Sequence, residues 1–472
     1  MDELTAAEVA ALAGADLWGD PAAVLGPDVV IDSRAAGPGS IFVALPGEHA
    51  DGHDYAPAAL ARGAGAVLVS HQLDLDLPQL VVPDPLAGLT ALATGLVARA
   101  RARGLRTIAL TGSSGKTSTK DLLASVLATV GAVVAPVGSF NNEIGVPLTA
   151  TGVNRTTDYL IAELGARGQG HIRALCAVVP PEIGLVLNVG HAHLGEFGSV
   201  AGIAQAKGEL VEAVPTGGWA VLNADDPLVL AMAARTSARI ATFSALGRPE
   251  VGELRVWAQD VVAGPLQRYS FTLHTDAASA PVSLLVTGAH QVANALAAAA
   301  VGLVAGMAVG QLAAALGAAA PASKWRMEVH RRPDGALVVN DAYNANPDSM
   351  RAALTTLAGM RQDGGRLVAV LGDMLELGPG AAAEHTAVGE LAGRLGIDEV
   401  IAVGGFAADL AAGARAADTR ARVVADREEA GRAAAGLVSA GDVVLVKASR
   451  GLALETVAER LVAATPTEGV QA

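Results

Sequence analysis

The chain has 472 residues, more than one hydrophobic core usually supports, so about three domains is the natural expectation. A formal net charge of −14 and a pI near 5.2 argue against a general affinity for nucleic acid or anionic lipid, so anionic ligands need a locally basic site. The single cysteine, Cys176, excludes an intramolecular disulfide and a thiolate metal cluster, and aromatics at 3% leave little for a base-stacking platform.

The first stretch, MDELTAAEVAALAG, has acids where a secretory leader carries basic residues and reads as an ordinary amphipathic helix, which fits a cytoplasmic protein. Short strands and helices then alternate: VVIDSR, SIFVALPG, a helix from about Tyr55 to Arg62, AVLVS at Ala66 to Ser70, and an Ala/Arg-rich helix from Leu89 to Arg103. From Arg106 the pattern becomes strand–helix repeats, with strands expected at Thr107–Leu110, Tyr159–Ala162, Gly184–Val189 and Trp219–Leu222. That pattern predicts a doubly wound, mostly parallel sheet that binds ligands at its strands' carboxyl ends. The small apolar run from Ala295 to Ala322 approaches a membrane span in length, but Ala and Gly give little transfer energy; two buried helices broken near Gly306 to Gly310 are expected. A third α/β unit follows Lys324, with strands at Ala336–Asn340, Leu367–Leu371, Glu399–Val403 and Val443–Val446.

The stretch RTIALTGSSGKTSTKDLL carries the clearest chemistry: a strand, a Gly/Ser turn, then Lys116 and Thr117 opening a helix. This is the layout of a triphosphate-binding loop, in which backbone N–H groups crowd round phosphate oxygens, the lysine neutralises charge and the threonine hydroxyl holds Mg²⁺. Leu110 stands where the general pattern wants a first glycine, so the loop is the tighter T-G-x-x-G-K-T form. Gly112, Ser113, Ser114, Gly115, Lys116, Thr117 and Ser118 are the nucleotide-binding candidates. Glu163 ends the next strand, where an acid can hold the metal. His191 and His193 follow another strand; either is a metal ligand, a base, or a loop histidine capping backbone, and spacing does not choose. Lys207 in AQAKGEL is open between a solvated helix cation, a charge assisting phosphates, and a neutral amine that reacts with CO₂ to a carbamate.

Taken together these residues resemble the Mur ligase family, ATP-dependent amide-forming ligases of peptidoglycan precursor synthesis, from near Asp32 to about Glu455. The resemblance implies a small N-terminal α/β domain (1–104) for the UDP-muramoyl substrate, a central P-loop domain (105–321) for ATP, and a C-terminal Rossmann-like domain (322–472) for nucleotide and dipeptide. It accounts for Leu110 and implies Glu163, His193 and carbamoylated Lys207, with Thr117, as holders of two Mg²⁺ ions. SFNNEIGVPLT, NVGHAHLGEFGS, NDAYNANPDSMRAAL and LGDMLELG are similar to the branch that adds a dipeptide. The small-molecule partners implied are therefore UDP-N-acetylmuramoyl-tripeptide and D-alanyl-D-alanine, with monomer as the default state. A folylpolyglutamate or tripeptide-forming relative is the nearest rival; a plain P-loop NTPase switch and a non-catalytic UDP-sugar binder are the others.

Further residues follow from position and resemblance. Ser33, Arg34 and His49 face the UDP sugar, in a polar loop that also holds Asp51 and His53; the bland reading is a β-turn with solvated charges. Asn141, Asn142 and Glu143 touch the muramoyl peptide, with Gln169 and His171 beside them. Asn294 reads the adenine edge in GAHQVANALAA, where Ala289 and Gln291 depart from the family's usual Arg and Asn. Arg326 reaches the γ-phosphate, and Asp341 takes the ribose or orients Arg326. Tyr343, Asn344 and Asn346 lie near nucleotide or dipeptide; Lys447, Ser449 and Arg450 bind the dipeptide carboxylate or form a free basic loop.

Overall fold

The computed structural model describes residues 1–47, 50–190 and 194–463. His49, His191 and His193 lie outside the described residues. At the N-terminus Thr5 and Glu8 form a capping box on the helix Ala6–Ala13, and Gly14 ends it in the left-handed region at φ 64°. This helix packs on Pro85–Arg101 over a five-stranded sheet ordered Asp16–Trp18, Gln79–Val81, Ala66–Val69, Ile41–Val43, Val29–Val30.

The second sheet has nine strands, in the order Val133–Val134, Tyr159–Glu163, Arg106–Thr111, Ile183–Val186, Trp219–Asn223, Arg239–Ser244, Leu254–Ala263, Arg268–Thr275, Ser279–Thr287. The first seven are parallel, and the last two join them antiparallel. The strand Arg106–Thr111 is buried from Thr107 onward, as a strand covered on both faces must be. Strand order reverses beside it, so its carboxyl end opens at a topological switch point. The expected strand Gly184–Val189 stops at Val186, because Asn188 leaves the sheet to bond the phosphate loop. The two antiparallel hairpin strands were not foreseen.

The Ala-rich run forms two helices, His290–Val304 and Val309–Ala318, separated by a turn at Gly306 (φ 97°). The first packs on the helix Lys116–Leu127, where small side chains let the backbones approach. No helix among the described residues is long and apolar enough to cross a membrane.

The third sheet is ordered Glu328–Arg331, Leu337–Asn340, Val443–Lys447, Leu367–Gly372, Glu399–Val403, Arg420–Val424, parallel except for the first strand. Its edge strands Glu328–Arg331 and Arg420–Val424 are the half-exposed ones, and neither was read from sequence.

Candidate functional site

Gly115 caps the helix Lys116–Leu127 in the left-handed region (φ 78°) without a side-chain bond to the helix end, so first-turn N–H groups remain for an anion. A Cβ on Gly115 would meet Asn294 Oδ1 at 2.7 Å, and one on Gly112 would meet Leu187 Cβ at 2.9 Å. Both glycines are thus required by close approach. Asn188 fastens the turn: its carbonyl accepts the Ser113 N–H at 3.1 Å and its side-chain oxygen accepts the Ser114 N–H at 2.9 Å. Ser113 Oγ accepts the Gly190 N–H at 2.8 Å. Those two serine N–H groups are spent on shaping the loop, so anion binding falls to the helix's first turn. Ser118 lies within that turn.

Lys116 Nζ donates back to Gly112 O at 2.7 Å. Burial lowers its pKa, with Glu163 pulling the other way. Thr117 Oγ1 lies 2.8 Å from Ser139 Oγ and donates to Glu163 Oε1 at 3.3 Å. Asn141 Nδ2 donates to the same carboxylate oxygen at 2.9 Å. The other oxygen, Glu163 Oε2, is buried with no hydrogen-bond partner. A carboxylate oxygen held that way costs free energy unless a cation is meant for it. Arg326 Nη2 donates to both Thr117 Oγ1 and Ser139 Oγ at 3.1 Å, a positive group resting on hydroxyl oxygens. Among the described residues no three His, Cys, Asp or Glu side chains converge; the cluster is one carboxylate with hydroxyls. Hard oxygen donors of this kind suit Mg²⁺.

Lys207 is 4% exposed on the helix Val200–Glu212. Burial, and secondarily the Lys116 charge, push its amine well below the usual lysine range, which removes the solvated-cation reading.

Arg326 reaches the cluster from the segment that enters the third sheet. Its neighbours Trp325 (φ 59°) and Met327 (φ 51°) both adopt left-handed backbone, and its guanidinium lies 4.2 Å from the Tyr343 ring centre. Asp341 holds this segment: Oδ1 accepts the Met327 N–H at 3.1 Å while Oδ2 accepts from Lys447 Nζ at 2.6 Å. Of its two expected tasks, Asp341 has the one of orienting Arg326. Lys447 is buried and also donates to Asn344 O at 3.0 Å, so its ammonium is committed within the domain and does not face a dipeptide carboxylate. Ser449 Oγ accepts the Leu375 N–H at 2.9 Å and is likewise buried. Arg450 pairs with Glu455 and lies over the Trp325 ring, so it is not a free basic group either. Asn346 caps the helix Pro347–Ala358 and donates from Nδ2 to Ser113 O at 3.4 Å.

Asn294 donates to Gln291 Oε1 at 2.9 Å, and both are buried. Gln291 therefore works as the acceptor that aims Asn294. Ala289 and His290 line a separate cavity with Tyr269 and Arg351. Asn142 Oδ1 accepts the Gly145 N–H, while Glu143 is exposed. His171 opens the helix His171–Val178; the buried Glu209 accepts the Gly170 and Arg173 N–H groups at that helix end, beside Gln169.

In the first domain Ser33 is buried, whereas Arg34 is exposed and bonded to Asp32, whose carboxyl that contact draws down to about 2. His53 Nδ1 lies 2.6 Å from Asp51 Oδ1 and its Nε2 accepts the Ser70 N–H at 2.9 Å. No hydrogen bond or ion pair among the described residues joins these groups to the phosphate-loop cluster. Asn188 and Ser139 were missed in sequence as loop-shaping and hydroxyl contacts; their signal was their place in the polar strings NVGH and SFNNE.

Three family descriptions match the chain in order: Mur ligase family, catalytic domain, over 28–106; Mur ligase middle domain over 110–302; and Mur ligase, glutamate ligase domain, over 325–450. The UDP-N-acetylmuramoyl-tripeptide–D-alanyl-D-alanine ligase of Mycobacterium tuberculosis H37Rv is 48% identical, over 98% of each chain. The protein of that name from Escherichia coli K12 is 40% identical over 80% of this chain and 81% of its own. Among solved structures, MurF of Acinetobacter baumannii superposes with a TM-score of 0.86 at 32% identity, over 98% of this chain and 99% of that one. MurF ligase of Thermotoga maritima, in complex with ADP, gives 0.75 at 27%, over 92% and 96%. With the phosphate loop, its carboxylate and the three matched segments in one order along one chain, this protein belongs to the Mur ligase family.

Proposed function

We propose that the chain joins D-alanyl-D-alanine to UDP-N-acetylmuramoyl-tripeptide, using ATP and releasing ADP and phosphate. The observation that carries this reading is near full-length identity of 48% to ligases named for that reaction. The phosphate loop with its orphaned Glu163 oxygen supports the ATP half, and ADP in the Thermotoga maritima relative agrees with it.

Amide formation from a carboxylate fails unaided because oxide is a poor leaving group. Phosphorylation of the tripeptide's terminal carboxylate gives an acyl phosphate; the dipeptide amine attacks its carbonyl carbon, and phosphate leaves with the electron pair of the broken C–O bond. Lys116 and the helix N-terminus offset charge on the transferring phosphoryl group, and Arg326, held by Asp341, adds a second cation. Thr117 and Glu163 would hold Mg²⁺, with His193 and a carbamate on Lys207 as further ligands; Mg²⁺ supplies Lewis-acid polarisation and charge neutralisation. Lys207 suits a carbamate because its amine is neutral and buried. No enzyme nucleophile is needed, since most of the work is alignment of two anions and an amine. A cytoplasmic location and a monomeric working unit go with this reading.

Its test is phosphate release from ATP with the UDP-linked tripeptide present, with and without the dipeptide, while UDP-pentapeptide is followed by mass. The expected result is release that needs both acceptor and donor and matches product one for one. Release indifferent to the dipeptide would return the chain to a plain NTPase or to a rival acceptor.

A further inference from the structure

A cavity of about 320 Å³ opens between the short helix Leu194–Phe197 of the central domain and the turn Leu377–Gly380 of the C-terminal domain. Its volume is at the small end of what ligand pockets offer. We propose that it seats the amino-terminal residue of the acceptor dipeptide, a small amine with a methyl side chain; this rests on the ligase reading above.

The cavity exists because two backbones touch. A Cβ on Gly195 would come within 3.0 Å of Gly378 N and 3.2 Å of Glu376 O, and one on Gly378 (φ 69°) within 3.0 Å of Gly195 Cα. Side chains on either loop would hold the domains apart, so both loops are glycine at the contact. The turn is also preformed. Buried His385 brackets it, its Nε2 accepting the Met374 N–H at 2.9 Å and its Nδ1 donating to Ala381 O at 2.6 Å. Ser449 Oγ fixes the intervening Leu375 N–H. A pocket whose wall is clamped at both ends binds with little ordering cost.

Its position joins it to the reacting phosphate. Pro347 lines the cavity, the preceding Asn346 donates to Ser113 O in the phosphate loop, and a Cβ on Gly190 would lie 3.1 Å from Cγ of the following residue, Asp348. One helix turn thus touches the cavity on one side and the phosphate loop on the other.

Its chemistry selects the amino end. Leu377, Pro347 and Pro379 offer carbon to a methyl group, and no basic side chain lines the space. The one charged group on the wall is Glu384, whose carboxylate has no hydrogen bond or ion pair among the described residues. A carboxylate in a carbon-walled site attracts an ammonium and repels the dipeptide's own carboxylate. Lys447 and Arg450, both committed to partners elsewhere, do not compete for this role.

The test is steady-state kinetics of the full chain with Glu384→Gln, Glu384→Lys and Gly380→Leu. Gly380 has ordinary backbone, and a Cβ there meets nothing within 4 Å, so the leucine introduces no backbone strain. The expected result is a KM for D-alanyl-D-alanine raised about tenfold or more in Glu384→Lys and Gly380→Leu and less in Glu384→Gln, with KM for ATP and for the UDP-tripeptide unchanged. Unchanged melting temperatures separate this from misfolding, and Glu384→Gln keeps the side chain's size if a bulkier variant fails. An active wild type with unaltered dipeptide KM in the variants overturns the subsite alone. A wild type that turns over without the dipeptide overturns the ligase reading and the subsite with it.

Discussion

At the scale of single residues, the site is organised by burial without compensation. Glu163 Oε2 has lost water and gained no donor, which makes the residue a cation holder and not a structural acid. Replacing it by Gln removes the charge and keeps the shape. The expected outcome is a fall in kcat of about 10²–10³-fold with a raised Mg²⁺ requirement; a titration of activity against Mg²⁺ that matches wild type would contradict it. For Lys207→Ala the expectation is loss of activity with partial rescue by short carboxylic acids, because a carboxylate replaces what a carbamate would supply. Full activity in that variant would refute the carbamate. Cys176 makes a separate prediction. Its thiol is buried and pushed up to about 12, by desolvation first and by Glu209 second. Iodoacetamide at pH 8 should label it only after unfolding. Because the folded state keeps its proton longer than the unfolded one, this group's contribution to stability is lost as pH rises from the usual value of 9.0 toward 12.

At the scale of elements, what was legible had local chemistry. The phosphate loop is a contiguous string whose glycines, lysine and threonine have defined mechanical tasks, so Lys116, Thr117 and Glu163 could be placed from sequence. Strands buried on both faces, such as Leu367–Gly372, read as continuous apolar runs. The strand Leu254–Ala263 could not be read that way: its second half is exposed, it contains Asp260 at φ 53°, and its ladder shifts register after Gln259. The loop basic group was misread for a different reason. Sequence shows Lys447 and Arg450 as cations but not that Asp341, 106 residues away from Lys447, neutralises one of them from a neighbouring strand. The loop geometry itself is testable. Gly115→Ala forces a side chain into the left-handed region, at about 1–2 kcal/mol, and drives it against Asn294. Nucleotide affinity measured by calorimetry should collapse while the secondary structure signal persists; retained affinity would show that the close approach is not required.

At the scale of the whole molecule, the third domain completes a site that the second begins. Arg326 and Asn346 come from beyond residue 320 to meet Thr117, Ser139 and Ser113, and Gln267 Nε2 donates to Gly359 O at 2.7 Å across the same boundary. Sequence indicated which strings were polar and where strands ended, but a pairing 209 residues apart, as between Arg326 and Thr117, depends on how two separately folded sheets dock. Arg326→Lys keeps the charge and loses the planar fork that spans two hydroxyls. Its expected effect is a lowered kcat with little change in melting temperature; unchanged kcat would mean the contact is structural. The central claim is that the tripeptide carboxylate leaves one oxygen with phosphate. The measurement that tests it most directly is mass analysis of phosphate released when that carboxylate carries ¹⁸O. One labelled oxygen per phosphate, for each amide formed, is the predicted result; unlabelled phosphate alongside amide product would contradict an acyl phosphate and the account built on it.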